Sequence, residues 1–293
     1  MTAADRDSAA VSAGAAEGRA VWIGGTVVPP DEARVSVFDH GFTVGDGVFE
    51  TLKVVDGQAF ALRRHLERLR RSATGLGLEV PLSDDKMRAA IDETLTAAGP
   101  SVGRIRVTLT GGLAPLGSGR AGVAPTLVIA VSPQDPWGPE TNAVTVPWPR
   151  NERSAVTGLK TTSYAENVVA LAEAHKVGAT EAIFGNLAGN VCEGTGTNVF
   201  VVLGGRLVTP PLLAGCLAGV TRALLLELLD EAEEDDLPMA ALAQADEVLL
   251  TSSVRNAQPL RSLDGRALPG GDGPVAQRAA AALAALEARD LDP

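Results

Sequence analysis

The chain has 293 residues, of which 45% are hydrophobic and 21% charged, enough to bury a substantial core in one large or two medium domains. A formal net charge of -11 argues against nucleic acid or an anionic membrane as partner, because both require clustered Lys and Arg. Two cysteines, Cys192 and Cys216, at no metal-ligand spacing, and the lack of an apolar run of roughly 18 residues point to a cytoplasmic protein with no metal site and no membrane span.

Residues 1–18 carry acidic residues without the apolar stretch of a signal peptide and read as a disordered tail. From Arg19, strands are predicted in VWIGG, TVV, ARVSVFD, GVFETLKVVDG and QAFAL, followed by helices over 62–76 and 83–98 and further strands in GRIRVTLTGG and PTLVIAVS. Strands with helices packed on them imply an α/β or α+β domain over 19–133. On its first helix, Leu62, Leu66 and Leu69 form the apolar stripe. GDG (45–47), TGG (110–112) and GSG (117–119) match neither a Walker nor a dinucleotide pattern and read as turns. The 111–124 segment is longer than a hairpin needs, and reads equally as an active-site cover or a surface loop. His40 is expected to make a capping or strand-end hydrogen bond. Three prolines within 132–140 mark a connection, placed at 134–140, and a C-terminal domain is expected over 141–293.

In that domain GLKTTSYAENVVALAEA places Lys160 at a loop-to-helix junction, where a Schiff-base lysine would stand; alone it also reads as a surface lysine. Residues 190–209 read as strands NVCEG and TNVFVVL, with Gly204 and Gly205 closing a hairpin onto Arg206–Thr209. Glu193 then lies at a strand end among Gly194, Thr195, Gly196 and Thr197. A carboxylate there suits a heteroaromatic nitrogen, although a solvated turn residue fits equally. Gly219, Val220 and Thr221 open the apolar run ALLLELL, so their backbone N–H groups would form an anion site at a helix N-terminus.

K-T-T-S-Y-x-x-N at 160–167 and E-G-T-G-T-N-V-F at 193–200, with FDHGFTVGDGVFETLKVVDG, HLERL, LAGVTR and LTSSVRNAQPL, resemble the signature of fold-type IV pyridoxal-phosphate enzymes, the class IV aminotransferase family. The resemblance implies a small N-terminal α/β domain, a larger mixed barrel-like C-terminal domain, a homodimer and pyridoxal 5'-phosphate as cofactor. It assigns the covalent and catalytic role to Lys160, and cofactor contacts to Arg68, Tyr164, Glu193, Gly219, Val220, Thr221, Ser252 and Ser253. By itself Arg68 could lie on a solvated helix face, and the serines in a strand-ending turn. Phe49, Arg104, Arg106, Arg153 and Arg255 are substrate-site candidates, with Arg150 a further arginine able to meet a carboxylate.

Within the family, Phe49 stands where D-amino acid aminotransferases carry a tyrosine, and Gly111 aligns with their carboxylate-binding arginine. Those departures favour 4-amino-4-deoxychorismate lyase, which forms 4-aminobenzoate and pyruvate in the folate branch. Tyr164 keeps the alternative open, a class IV aminotransferase acting on branched-chain or D-amino acids with 2-oxoglutarate. A non-catalytic dimeric relative is the remote third reading.

Overall fold

The computed structural model describes residues 17–293, so the expected tail lies outside the described residues as far as residue 16. Two compact units emerge. The first runs to Asp135 and also takes in Lys160–Ser163 and Leu291–Pro293; the second comprises Pro136–Leu159 and Tyr164–Asp290.

In the first unit β1 (Ala20–Ile23), β2 (Thr26–Val28), β3 (Gly47–Val55), β4 (Gln58–Ala59), β5 (Arg104–Thr110) and β6 (Thr126–Ser132) form a sheet of order β2-β1-β6-β5-β3-β4. Every neighbouring pair in it is antiparallel. The helices are α1 (His40–Val44), α2 (Leu62–Gly75) and α3 (Asp84–Ala98). Alternation sets the buried face: Ile105, Val107 and Leu109 of β5 lie opposite Val131, Ile129 and Leu127 of β6, and all six are buried. Leu62, Leu66, Leu69 and Ala73 of α2 join that core, as do Met87, Ile91 and Leu95 of α3. Ser83 caps α3 by accepting from Lys86 N, and Asp84 and Asp85 in the first turn suit the helix dipole.

Residues 33–39, expected as a strand, form none. Pro29 O accepts from the N–H groups of Glu32 and Ala33, and Ser36 O from that of Asp39, so local turns use hydrogen bonds that a strand would give to a neighbour. Asp39 then caps α1 through Gly41 N, an element the alternation of Val35 and Val37 had hidden. QAFAL shortens to two strand residues, because Ala61, at φ 55, turns the chain into α2.

The core of this unit also holds charge. Glu50, between Val48 and Leu52 on β3, is 1% exposed. Arg68 grips both its oxygens, Nε to Oε1 at 2.8 Å and Nη2 to Oε2 at 2.7 Å, and His65 Nδ1 lies 2.7 Å from Oε2. Burial alone would raise the Glu50 carboxyl, but the Arg68 charge and hydrogen bonds, aided by His65, outweigh it and hold it well below the usual carboxylate range. Burial likewise pushes His65 down from its ordinary value.

The second unit is built on a mixed sheet of β7 (Thr141–Arg150), β8 (Glu181–Asn186), β9 (Val191–Gly194), β10 (Asn198–Leu203), β11 (Arg206–Thr209), β12 (Ala232–Glu234), β13 (Glu247–Ser252) and β14 (Asn256–Leu263). Its order is β12-β11-β10-β13-β14-β7-β8-β9, with β15 (Arg266–Ala267) beside β14. The pairs β14–β7, β7–β8 and β11–β12 are parallel. Gly204 and Gly205, at φ 58 and 82, close the β10–β11 hairpin in a conformation that favours glycine. The helices are α4 (Ala165–Lys176), α5 (Val220–Leu228) and α6 (Pro274–Arg289). Among the described residues no helix is long and apolar enough to cross a membrane.

Leu69→Ala should lower stability by about 2–5 kcal/mol, measured by urea unfolding, because the side chain is fully buried in a packed core. Glu50→Gln should cost about 3–5 kcal/mol at neutral pH, since it leaves Arg68 buried without its counter-charge. The Glu50 carboxyl titrates below its ordinary value of 4.5, so this contribution is complete above that value and is lost as pH falls toward the folded pKa. The gap in unfolding midpoint between wild type and Glu50→Gln should therefore narrow in acid; a pH-independent gap would contradict the pairing.

Candidate active site

Lys160 belongs to the first unit, and its backbone is fastened there as a short extension of the sheet. Its carbonyl accepts from Phe49 N at 3.0 Å, Thr162 N donates to Gly47 O at 2.8 Å, and Lys160 N donates to Ser72 Oγ at 3.1 Å. Gly47 permits this close approach: a Cβ there would stand 2.8 Å from Leu109 O and 3.1 Å from Thr162 Oγ1. The half-buried Lys160 directs Nζ over the Phe49 ring, 4.3 Å from its centre. The Arg106 guanidinium also lies over that ring, at 3.8 Å. Register explains the reach, since Phe49 pairs with Thr108 and Arg106 is its diagonal neighbour on β5. Two cations thus share one buried aromatic ring.

Arg68 is not on a solvated face; it is buried and forked onto Glu50. Glu50 and His65 are participants that sequence reasoning missed, although E-T-L and H-L-E-R-L both lie in the quoted motifs. The period-2 placement of Glu50 between Val48 and Leu52 was the available signal. Arg104 is half-buried, and its buried Nε has no hydrogen-bond partner.

In the second unit Glu193 is the penultimate residue of β9, with its side chain 15% exposed. Oε2 accepts from Leu217 N at 2.9 Å, and Arg150 Nε stands 3.4 Å from Oε1, near enough for an ion pair but not aligned for a hydrogen bond. Arg150 also bonds Glu166 and Asn167 and lies over the Phe184 ring at 4.1 Å, so the protein already uses its guanidinium. The Gly/Thr turn after Glu193 is organised by Glu181, which sequence reasoning overlooked. Its buried carboxylate accepts from Thr195 N at 2.9 Å, from Thr195 Oγ1 and from Thr197 Oγ1 at 3.2 Å, while Asn167 Nδ2 donates to Thr195 O.

Gly219 is the N-cap of α5 and offers no side chain to the first turn. A Cβ there would run into Asn198 Oδ1, whose Nδ2 donates to Leu217 O at 2.8 Å. Val220 and Thr221 therefore present backbone N–H groups at an end with no side-chain cap, suited to an anion. At the end of β13 the buried Thr251 hydroxyl has no hydrogen-bond partner, Ser252 Oγ accepts from Arg255 N at 3.2 Å, and half-buried Ser253 follows. Tyr164 precedes α4 as its N-cap residue. Arg153 is exposed.

Arg255 is committed to the protein. It stacks on Trp137 at 3.6 Å and donates to Gln258 Oε1 at 2.7 Å and Thr180 O at 3.0 Å. Burial lowers its pKa. Cys192 and Cys216 are buried thiols, and burial pushes both up, Cys216 to about 12, which disfavours the thiolate.

The first unit offers an amine on a fixed backbone, of the kind that takes up an aldehyde. The second, by itself, offers a strand-end carboxylate suited to a basic ring nitrogen and an uncapped helix N-terminus suited to a phosphate. Residues 47–263 match the family described as amino-transferase class IV. A putative branched-chain-amino-acid aminotransferase of Methanocaldococcus jannaschii is 34% identical over 256 residues, 85% of this chain and 89% of that protein. Among solved structures, a branched-chain aminotransferase from Thermoproteus uzoniensis superposes with a TM-score of 0.86 at 31% identity, covering 92% of this chain and 95% of that one. A putative 4-amino-4-deoxychorismate lyase from Legionella pneumophila gives 0.81 at 26% identity, covering 87% and 96%. The motifs, the two curled sheets and these matches agree: the chain belongs to the class IV aminotransferase family of fold-type IV, pyridoxal 5'-phosphate-dependent enzymes.

Proposed function

We propose that the protein is an aminotransferase passing the amino group of a small amino acid, of branched-chain type, to 2-oxoglutarate. The observation that carries this reading is the pair of cations on Phe49: Arg106 places a carboxylate-binding fork on the same ring that the Lys160 amine faces. The relatives support it over the lyase expectation. Missing tyrosine and arginine contacts, which favoured the lyase, argue only against the D-amino acid type. At Gly111 a side chain would collide with Asp46 Oδ2, so the chain supplies its arginine from position 106 instead. The lyase stays as a second reading, supported by the likeness to the Legionella structure.

Pyridoxal phosphate, when bound, supplies an electron sink that makes the hydrogen on the amine-bearing carbon acidic. Lys160 Nζ would hold the cofactor covalently, yield it to the substrate amine, and then carry the proton between substrate and cofactor. Glu193 would accept a hydrogen bond from the ring nitrogen, with Leu217 N–H and Arg150 holding its carboxylate in place. Tyr164 would face the ring oxygen. The backbone N–H groups of Val220 and Thr221, the hydroxyls of Ser252 and Ser253, and Arg68 would hold the phosphate, the arginine steadied by Glu50. Exposed Val35, Val37, Phe38 and Phe42, with Leu113 and Leu116, give the first unit an apolar surface suited to a second copy of this chain. Two buried thiols suit a reducing, cytoplasmic setting.

Lys160→Ala should lose the visible absorbance band that borohydride removes in wild type, together with nearly all turnover; a variant that kept turnover would end this reading. Arg106→Gln should raise KM for the amino donor about ten- to hundredfold, the worth of one charge-assisted hydrogen bond, while leaving the cofactor band intact. Incubation with branched-chain amino acid plus 2-oxoglutarate, and separately with aminodeoxychorismate, should give glutamate in the first and little pyruvate in the second. The reverse result would restore the lyase. Light scattering should give a dimer, and a fully active species of 30.0 kDa would refute it.

A further inference from the structure

His40 is 1% exposed and its ring lies between two acceptors. Nδ1 is 2.7 Å from Asp46 Oδ2 and Nε2 is 2.8 Å from the Gly117 carbonyl oxygen. A carboxylate and a carbonyl cannot donate, so both contacts are hydrogen bonds only when both ring nitrogens carry hydrogen. Gly117 stands in the long β5–β6 connection, which holds neither helix nor strand and exposes Leu113 and Leu116. A second tether holds the same loop. Arg120 forks onto Asp46, Nε to Oδ2 at 2.7 Å and Nη2 to Oδ1 at 2.5 Å, and its Nη1 donates to Gly77 O at 3.1 Å. The charged groups acting on His40 are Asp46 and Arg120; neighbouring Asp39 is taken up by Gly41 N and Thr126 Oγ1.

We propose that His40 is a proton-operated latch on the 113–122 loop: doubly protonated, it pins the loop at Gly117, and on losing one proton it releases that point while Arg120 stays on Asp46. The proton that remains sits on Nδ1, where the carboxylate holds it more strongly than a carbonyl would. The Nε2 lone pair then faces the Gly117 carbonyl oxygen, and the contact becomes repulsive. The hydrogen bond to Asp46, followed by that to Gly117, raises His40 above its ordinary 6.5. The latch is accordingly closed at and below that value and opens as pH rises through the raised pKa. This inference does not depend on the assigned reaction.

Chymotryptic cleavage after the exposed Leu116, followed by mass spectrometry from about pH 6 to about pH 9 and divided by the rate for a free peptide of the loop sequence, reads the loop at Gly117 directly. In wild type the ratio should rise about ten- to hundredfold with pH, the worth of one hydrogen bond to a charged group. His40→Gln, neutral throughout, should be cut fast at every pH, and His40→Arg, charged throughout, slowly at every pH. A wild-type ratio flat with pH, or a His40→Gln variant that keeps the rise, would overturn the latch. Should the variants fail to fold, 15N NMR of the His40 ring in wild type decides: two protonated nitrogens near neutral pH are expected, and a neutral ring at about pH 6 would overturn it.

Discussion

The tie between residues 160–162 and the edge of β3 is the constraint on which the rest of the candidate site depends. A lysine amine on a flexible stem is a poor instrument unless its backbone is fixed, and here the Phe49 N–H, the Gly47 carbonyl and the Ser72 hydroxyl fix it. That edge also supplies Phe49, and from Phe49 the β3–β5 register brings Arg106 to the same ring. The glycine at 47 is required because a Cβ there would stand 2.8 Å from Leu109 O of β5, with Thr162 Oγ1 of the added segment at 3.1 Å. The Lys160 amine and the Arg106 guanidinium are thereby both referred to the ring of Phe49.

Buried carboxylates recur through the protein, and each is satisfied differently. Glu50 takes a full arginine fork and an imidazole, Glu181 takes hydroxyls and backbone N–H groups from the turn it organises, and Glu193 takes one backbone N–H and a nearby arginine. The differences follow from position. A carboxylate in the middle of an apolar core needs a formal counter-charge, whereas one beside a glycine-rich turn can draw on oriented backbone donors. Glu193 accepts from Leu217 N–H through one oxygen and has Arg150 Nε 3.4 Å from the other.

Asp46 links two further features. Forked by Arg120 and facing His40, it fills the space that a side chain at position 111 would need. The same residue therefore anchors the long loop and occupies the space beside position 111.

Much of the architecture was legible in order along the chain. The alternation of RIRVTLT, the short apolar run of TLVIAVS, the Leu62, Leu66 and Leu69 stripe, the two-glycine hairpin and the helix opening at Val220 all depend on local periodicity or turn chemistry, which a sequence displays directly. Lys160 and Glu193 were found through motif resemblance, because neither composition nor spacing reports burial. Residues 33–39 misled, since alternating valines satisfy a strand pattern although turns at Pro29 and Ser36 consume the backbone donors. The pairs Glu50–Arg68, Glu181–Thr195, Glu193–Leu217 and His40–Gly117 join positions 14 to 77 residues apart along the chain, and no local pattern encodes such pairings. By itself the sequence determined the elements and the chemical repertoire. Tertiary structure alone decided which of its arginines meet a carboxylate of the protein, which lies over the ring beside Lys160, and what holds the long loop, because those choices rest on distances that sheet register and helix packing create.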